Sequence, residues 1–184
     1  VWKILSVLWA VVPIVNIFMF LKVPLPETCE ETRVPIKRLI KENGFVIGLI
    51  LMLGAGAAEQ TMAQWVSLFA QKGLGVTKVV GDLLGPCLFA LFMAVGRMWY
   101  GIKGDKLDLK KALLGCSILC IVCYAVTVFS KNPLLSLIFC ALTGFSVSLM
   151  WPGTLSYNAA CFKNGGAAMF GMMAIFGDIG CSIG

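Results

Sequence analysis

Apolar residues run in six long blocks along the chain, Ile4 to Leu21, Phe45 to Ala70, Val79 to Ile102, Ala112 to Phe129, Leu134 to Phe162 and Ala167 to Gly184, separated by short polar stretches. A helix needs about 20 mostly apolar residues to cross a hydrocarbon core of about 30 Å, so each block predicts a membrane-spanning helix. The first block also suits a secretory signal with Lys3 at its charged start, but Pro13, Asn16, its length and the missing small-residue cleavage site favour a span. Asn132-Pro133 predicts the start of one helix, and Lys163 to Gly166 predicts a tight turn. With connections this short, consecutive helices are expected to be antiparallel neighbours in an all-α, polytopic transmembrane bundle. Gly81 and Gly85 form a small-xxx-small pair, and Pro86 and Pro152 permit kinks within spans.

Composition agrees. Of 184 residues, 59% are hydrophobic and 13% charged, well above the apolar content of about 45–50% usual in soluble domains. The mean hydropathy is +0.92.

The only long polar stretch lies between the first two blocks. It divides the chain into a first helix (1–22), a linker (23–44) expected to be cytoplasmic, and five further helices (45–184). With the linker inside, alternation places ten cations on the inner side, Lys22, Arg33, Lys37, Arg38, Lys41, Lys103, Lys106, Lys110, Lys111 and Lys163, against Lys72, Lys78 and Lys131 outside. The net charge of +6 therefore reports membrane orientation, and no nucleic-acid site is expected. Pro35, Ile36, Leu39 and Ile40 predict a small amphipathic helix in the linker, which either lies on anionic membrane lipid or is solvated.

Residues that hydrocarbon should exclude are the candidates for chemistry. Glu59 lies near the middle of its block, where an ionised carboxylate costs a few kcal/mol or more unless it meets water, a partner or a proton. Gln60, Gln64, Ser67 and Gln71 continue a polar stripe from it, with Trp65 alongside. Amide, carboxylate and aromatic groups together suit a small hydroxylated or amphipathic solute; the same stripe also suits hydrogen bonding to another helix. Ser146, Trp151, Ser156 and Asn158 offer further lining, and Asp178, between Gly177 and Gly180, is a second buried-looking carboxylate. Glu59 and Asp178 are the candidates for proton coupling, since desolvation raises a carboxylate pKa toward the range where a proton loads and leaves. Asp82 is expected to favour its helix start through the dipole. The eight cysteines read as packing residues, including Cys116, Cys120 and Cys123 on one helix face. With no histidine and no ligand cluster, neither a metal nor a cofactor is expected.

The turn "GRMWYGIKGDKLDLKK" resembles the cytoplasmic signature of major facilitator superfamily transporters, G-x-x-x-D-[RK]-x-G-[RK]-[RK], in its second-half copy. Gly101, Asp105, Lys106 and Lys110 match, while Asp108 and Leu109 depart. "GAAEQTMAQW" followed by "GRMWYG" is similar to the fucose-permease-like branch. The resemblance implies a fragment running from helix six through most of helix eleven, that is, the C-terminal half of such a transporter, with the N-terminal half as its missing partner. It implies a multi-pass cell-membrane protein that moves a small organic solute, with a sugar as the expected class, by alternating access coupled to a proton. Glu59, Gln60, Gln64, Trp65, Trp151 and Asn158 would bind the solute, Glu59 or Asp178 would carry the proton, and Arg97, Gly101, Asp105 and Lys106 would gate. A drug or peptide exporter is the competing transporter; a channel lacks a filter here and an enzyme lacks a nucleophile with its base.

Overall fold

The computed structural model describes residues 2–23 and 35–184, apart from the side chains of Trp2, Leu5, Ser6 and Asp105. Most of the linker, residues 24–34, lies outside that description. The chain divides into two units, residues 1–32 and 33–184. In the first, α1 covers Trp2–Lys22 and holds Pro13 within its length. The described side chains of α1 are exposed and mostly apolar.

The second unit contains α2 (Ile36–Leu39), α3 (Asn43–Gly73), α4 (Lys78–Lys103), a 3-10 turn over Gly104–Lys106, α5 (Leu109–Phe129), α6 (Pro133–Ser148), α7 (Met150–Cys161) and α8 (Gly166–Ile183). No strand occurs among the described residues. Among the described residues, five stretches are long and apolar enough to cross a membrane: α3, α4, α5, α6 with α7, and α8. Their outer faces carry Ile50, Leu83, Leu91, Ile118, Ile121 and Ile175, each more than half exposed. Such faces would drive a soluble protein to aggregate and suit one bathed in acyl chains.

Local chemistry sets several boundaries. Asn132 caps α6, its side-chain oxygen accepting from the Leu134 and Leu135 amides at 3.0 and 3.5 Å, with Pro133 in the first turn. Asp108 caps α5 by accepting from the Lys111 amide at 3.3 Å. The block Leu134 to Phe162 is one span but two helices, meeting at Leu149. Pro152 has no N–H for the Ser148 carbonyl and its ring crowds that oxygen, so the ladder breaks just before it.

Inside lipid, apolar burial does not drive helices together, so close backbone approach and van der Waals contact must. Antiparallel α3 and α4 meet where a Cβ on Gly81 would touch Ala70 at 3.3 Å and one on Gly85 would touch Val66 at 3.2 Å. The sequence-predicted glycine pair is thus an interface. The most extensive packing, however, joins helices that do not follow one another, α3 with α8 and α4 with α6. A Cβ on Gly180 would overlap the Leu53 carbonyl, and one on Gly144 would overlap the Phe89 carbonyl. Both pairs are parallel, as the matched rises from Leu53 to Ala57 and from Gly180 to Gly184 show for α3 and α8. This corrects the expectation that every consecutive pair would be neighbours: α4 and α5 have no extended contact, and both lie on α6.

Two apolar clusters fill the interior. One gathers Leu39, Phe45, Leu49, Met52, Met169 and Met173, tying α2 to α3 and α8. The other gathers Met62, Val66, Phe89, Cys120, Cys140 and Val147. Cys120 and Cys123 are buried where α5 meets α6, and the Cys140 thiol lies 3.7 Å from the Thr127 hydroxyl. These cysteines occupy positions where small side chains let the two helices close up.

Candidate functional site

Four helices line an open cavity of about 560 Å³, to which α3 contributes Glu59, α4 Arg97 and Tyr100, α7 Trp151, Pro152 and Leu155, and α8 Cys181. The break at Leu149 shapes it, because α7 starts afresh and presents Trp151 and Pro152 from its first turn. Gly177 of α8 lets the indole lie against that helix: a Cβ there would come within 2.5 Å of the Trp151 ring.

Glu59 does not stand alone. The Arg97 guanidinium lies 3.4 Å from its Oε1, with the Glu59 side chain 23% exposed and that of Arg97 50% exposed. A carboxylate held at this depth is tolerable when a cation compensates it, and a half-exposed guanidinium keeps donors free for something else. Arg97, expected from sequence to act with the inner turn, is therefore part of the cavity. A carboxylate accepts, a guanidinium donates in a planar fork, and an indole supplies an apolar face; this set suits a small polar solute with an apolar side.

The other expected solute-binding residues are placed elsewhere. Gln60 is half-buried and Gln64 exposed, and neither lines the cavity. Trp65 is half-exposed and its indole N–H donates to the Gly184 carbonyl at 3.2 Å. Asn158 is buried against Gly48 and donates to the Thr154 carbonyl at 2.9 Å, which makes it part of the α3–α7 contact. Asp178, expected to be buried, is exposed: Gly177, Gly180 and Gly184 form the α8 face that meets α3, and Asp178 falls off that face. Ser67 donates to Asp82, so Asp82 joins α4 to α3 and is more than a dipole partner at a helix start.

At the opposite ends of α4 and α5, Gly101 and Lys106 are exposed, and nothing lies within 4 Å of where a Cβ on Gly101 would stand. The Asp105 side chain is outside the described set, so its expected gating contact is not described. Asp108, three residues on, caps the start of α5, and its carboxylate also lies 3.3 Å from the Lys111 ammonium. The hydrogen bond from the Lys111 amide holds the Asp108 carboxyl below its ordinary pKa. An aspartate directly before an apolar run is an N-cap signal that could have identified it. Tyr100, Leu155 and Cys181 carry no such signal, since an apolar or small residue in a span reads as packing.

The family model of the Major Facilitator Superfamily matches residues 1–184. The chain belongs to the Major Facilitator Superfamily. Members of this superfamily are membrane transporters, not enzymes, and a bundle of apolar helices with a polar-lipped cavity fits that class. No curated protein and no solved structure matches the chain.

Proposed function

We propose that this superfamily member is a secondary active transporter of the cell membrane that moves a small organic solute, a sugar in the fucose-permease-like reading, by alternating access with a coupled proton. The Glu59–Arg97 pair at the lip of the Trp151 cavity carries this reading. Solute hydroxyls exchange hydrogen bonds with the carboxylate and the guanidinium while a C–H face stacks on Trp151. Protonation of Glu59 releases Arg97 from the pair, which links proton loading to the arrangement of α3 and α4. The cavity forms one wall of the pathway, and a second helix bundle, the N-terminal half of the transporter, closes the other. Gln60, Gln64 and Trp65 flank the pathway from α3, and Gly101, Asp105 and Lys106 form the inner turn that favours one arrangement of the bundle over the other. Asp178 stands off the cavity, so coupling falls to Glu59.

Uptake into liposomes by the full-length transporter, with hexoses as probes under an imposed pH gradient, tests this. Wild type and Asp178→Asn should accumulate the sugar against its gradient, whereas Glu59→Gln should only equilibrate it. Full coupling in Glu59→Gln would refute the proton assignment. Failure to move any hexose, together with movement of a hydrophobic organic cation, would replace the sugar with the exporter reading.

A further inference from the structure

A second cavity, of about 400 Å³, opens where α2 meets the turn between α7 and α8. Its walls carry Arg38 and Glu42 on one side and Phe162, Lys163 and Asn164 on the other. Its volume lies within the range of about 300–1,000 Å³ usual for small-molecule sites. Arg38 and Lys163 are exposed, come from separate elements, and have no ion-pair partner among the described residues. Two cations against the single carboxylate of Glu42 leave the cleft net positive, which favours an anion.

The depth of the cleft narrows the choice of anion. It sits at the end of the bundle that the cation distribution places inside, level with the ends of two membrane spans. Leu39 anchors α2 in the apolar core beneath it, only 3% exposed, while Ile36 and Ile40 on the same short element stay about half exposed. That is the pattern of a segment lying at the boundary of headgroups and acyl chains. Glu42 and Asn164 add acceptors to the same lining, which fit hydroxyls on the headgroup.

We propose that this cleft is a specific site for an anionic phospholipid, its phosphodiester held between Arg38 and Lys163 and its hydroxylated head, as in phosphatidylglycerol, accepted by Glu42 and Asn164. The bound lipid ties α2 to the α7–α8 turn and thereby fixes the end of the linker on the bundle. The site is separate from the Glu59 cavity.

Native mass spectrometry of the full-length protein, released from nanodiscs of phosphatidylcholine with a minor share of phosphatidylglycerol, tests this. Each cation at a membrane surface contributes about 1 kcal/mol toward anionic lipid, a factor of about five, so Arg38→Ala with Lys163→Ala should lower retained phosphatidylglycerol roughly 30-fold. Lys37→Ala with Lys41→Ala removes the same charge from residues that do not line the cleft, so it should lower retention clearly less than the cleft pair does. Equal losses in the two double variants would reduce the site to general surface attraction and overturn the proposal. Undiminished retention in Arg38→Ala with Lys163→Ala would overturn it as well. Soluble glycerol phosphate should fail to displace the lipid; displacement would assign the cleft to a free phosphate compound and overturn the lipid assignment. Circular dichroism melting of each variant checks that all remain folded.

Discussion

Gly180→Ala adds one methyl group at the tightest kind of contact in this bundle, backbone against backbone. A Cβ at that position would overlap the Leu53 carbonyl oxygen and come within 2.9 Å of the Leu53 carbonyl carbon and 3.0 Å of the Ala57 nitrogen. No side chain can rotate away, so α8 must move off α3, and this is the most extensive interface in the unit. Overfilling a packed site costs about 1–3 kcal/mol. Against that, alanine is better than glycine in a helix by about 1 kcal/mol. Gly171→Ala on the same helix isolates the second effect, because Gly171 is exposed and nothing lies within 4 Å of its added Cβ. The two variants should therefore differ by about 1–3 kcal/mol in favour of Gly171→Ala. At about 2–4 °C per kcal/mol for a chain of this size, their unfolding midpoints should separate by roughly 2–12 °C. Thermal unfolding of the purified protein in one detergent, followed by circular dichroism, reads this directly. A Gly180→Ala protein as stable as Gly171→Ala would refute the view that close backbone approach holds α3 to α8.

Removing the cation from the cavity by Arg97→Gln should lower solute uptake roughly 10- to 100-fold, the equivalent of a lost hydrogen bond to a charged group of about 1.5–3 kcal/mol, and exchanging the pair as Glu59→Arg with Arg97→Glu should restore part of it in the same liposome assay. Because Asp108 has a depressed pKa in the folded protein, its contribution to the α5 cap is present above the unfolded carboxylate value of about 3.9 and is lost as pH falls through the lower folded one. Asp108→Asn keeps an acceptor that does not titrate, so its melting midpoint should change less than that of wild type below about pH 4; identical acid profiles would remove Asp108 from the cap. Pro152→Ala returns an N–H to the Ser148 carbonyl and should let α6 run on into α7. Hydrogen exchange at residues 149–153 should then slow, and uptake should fall as Trp151 and Pro152 are re-aimed; unchanged exchange would mean that the break has another cause.

The spans were legible because hydrocarbon thickness and backbone hydrogen bonding leave a long apolar block little choice but a helix. Helix starts with a chemical marker, such as Asn132-Pro133, were legible for the same local reason. Glu59 was legible as an anomaly, a charge where charge is costly, and Trp151 as a large aromatic in a polar-flecked span. The partner of Glu59 was not, since Arg97 is distant in sequence and its long side chain could reach the surface or a carboxylate equally well. Asp178 looked like Glu59 in sequence, yet the glycines around it packed on α3 and turned it out; a composition-based reading weighs the charge and misses which face the small residues claim.

The order of apolar blocks, by itself, determined that this protein is a membrane bundle and where several of its helices begin, because these are settled within one segment by solvent and backbone. Which helices touch was decided only by tertiary structure: α3 chose α8 and α4 chose α6 over their chain neighbours where glycines allowed carbonyls and Cα atoms to meet. The cavity follows from that choice. Glu59, Arg97, Trp151 and Cys181 come from four helices, and no local rule along the chain can set the distance between them.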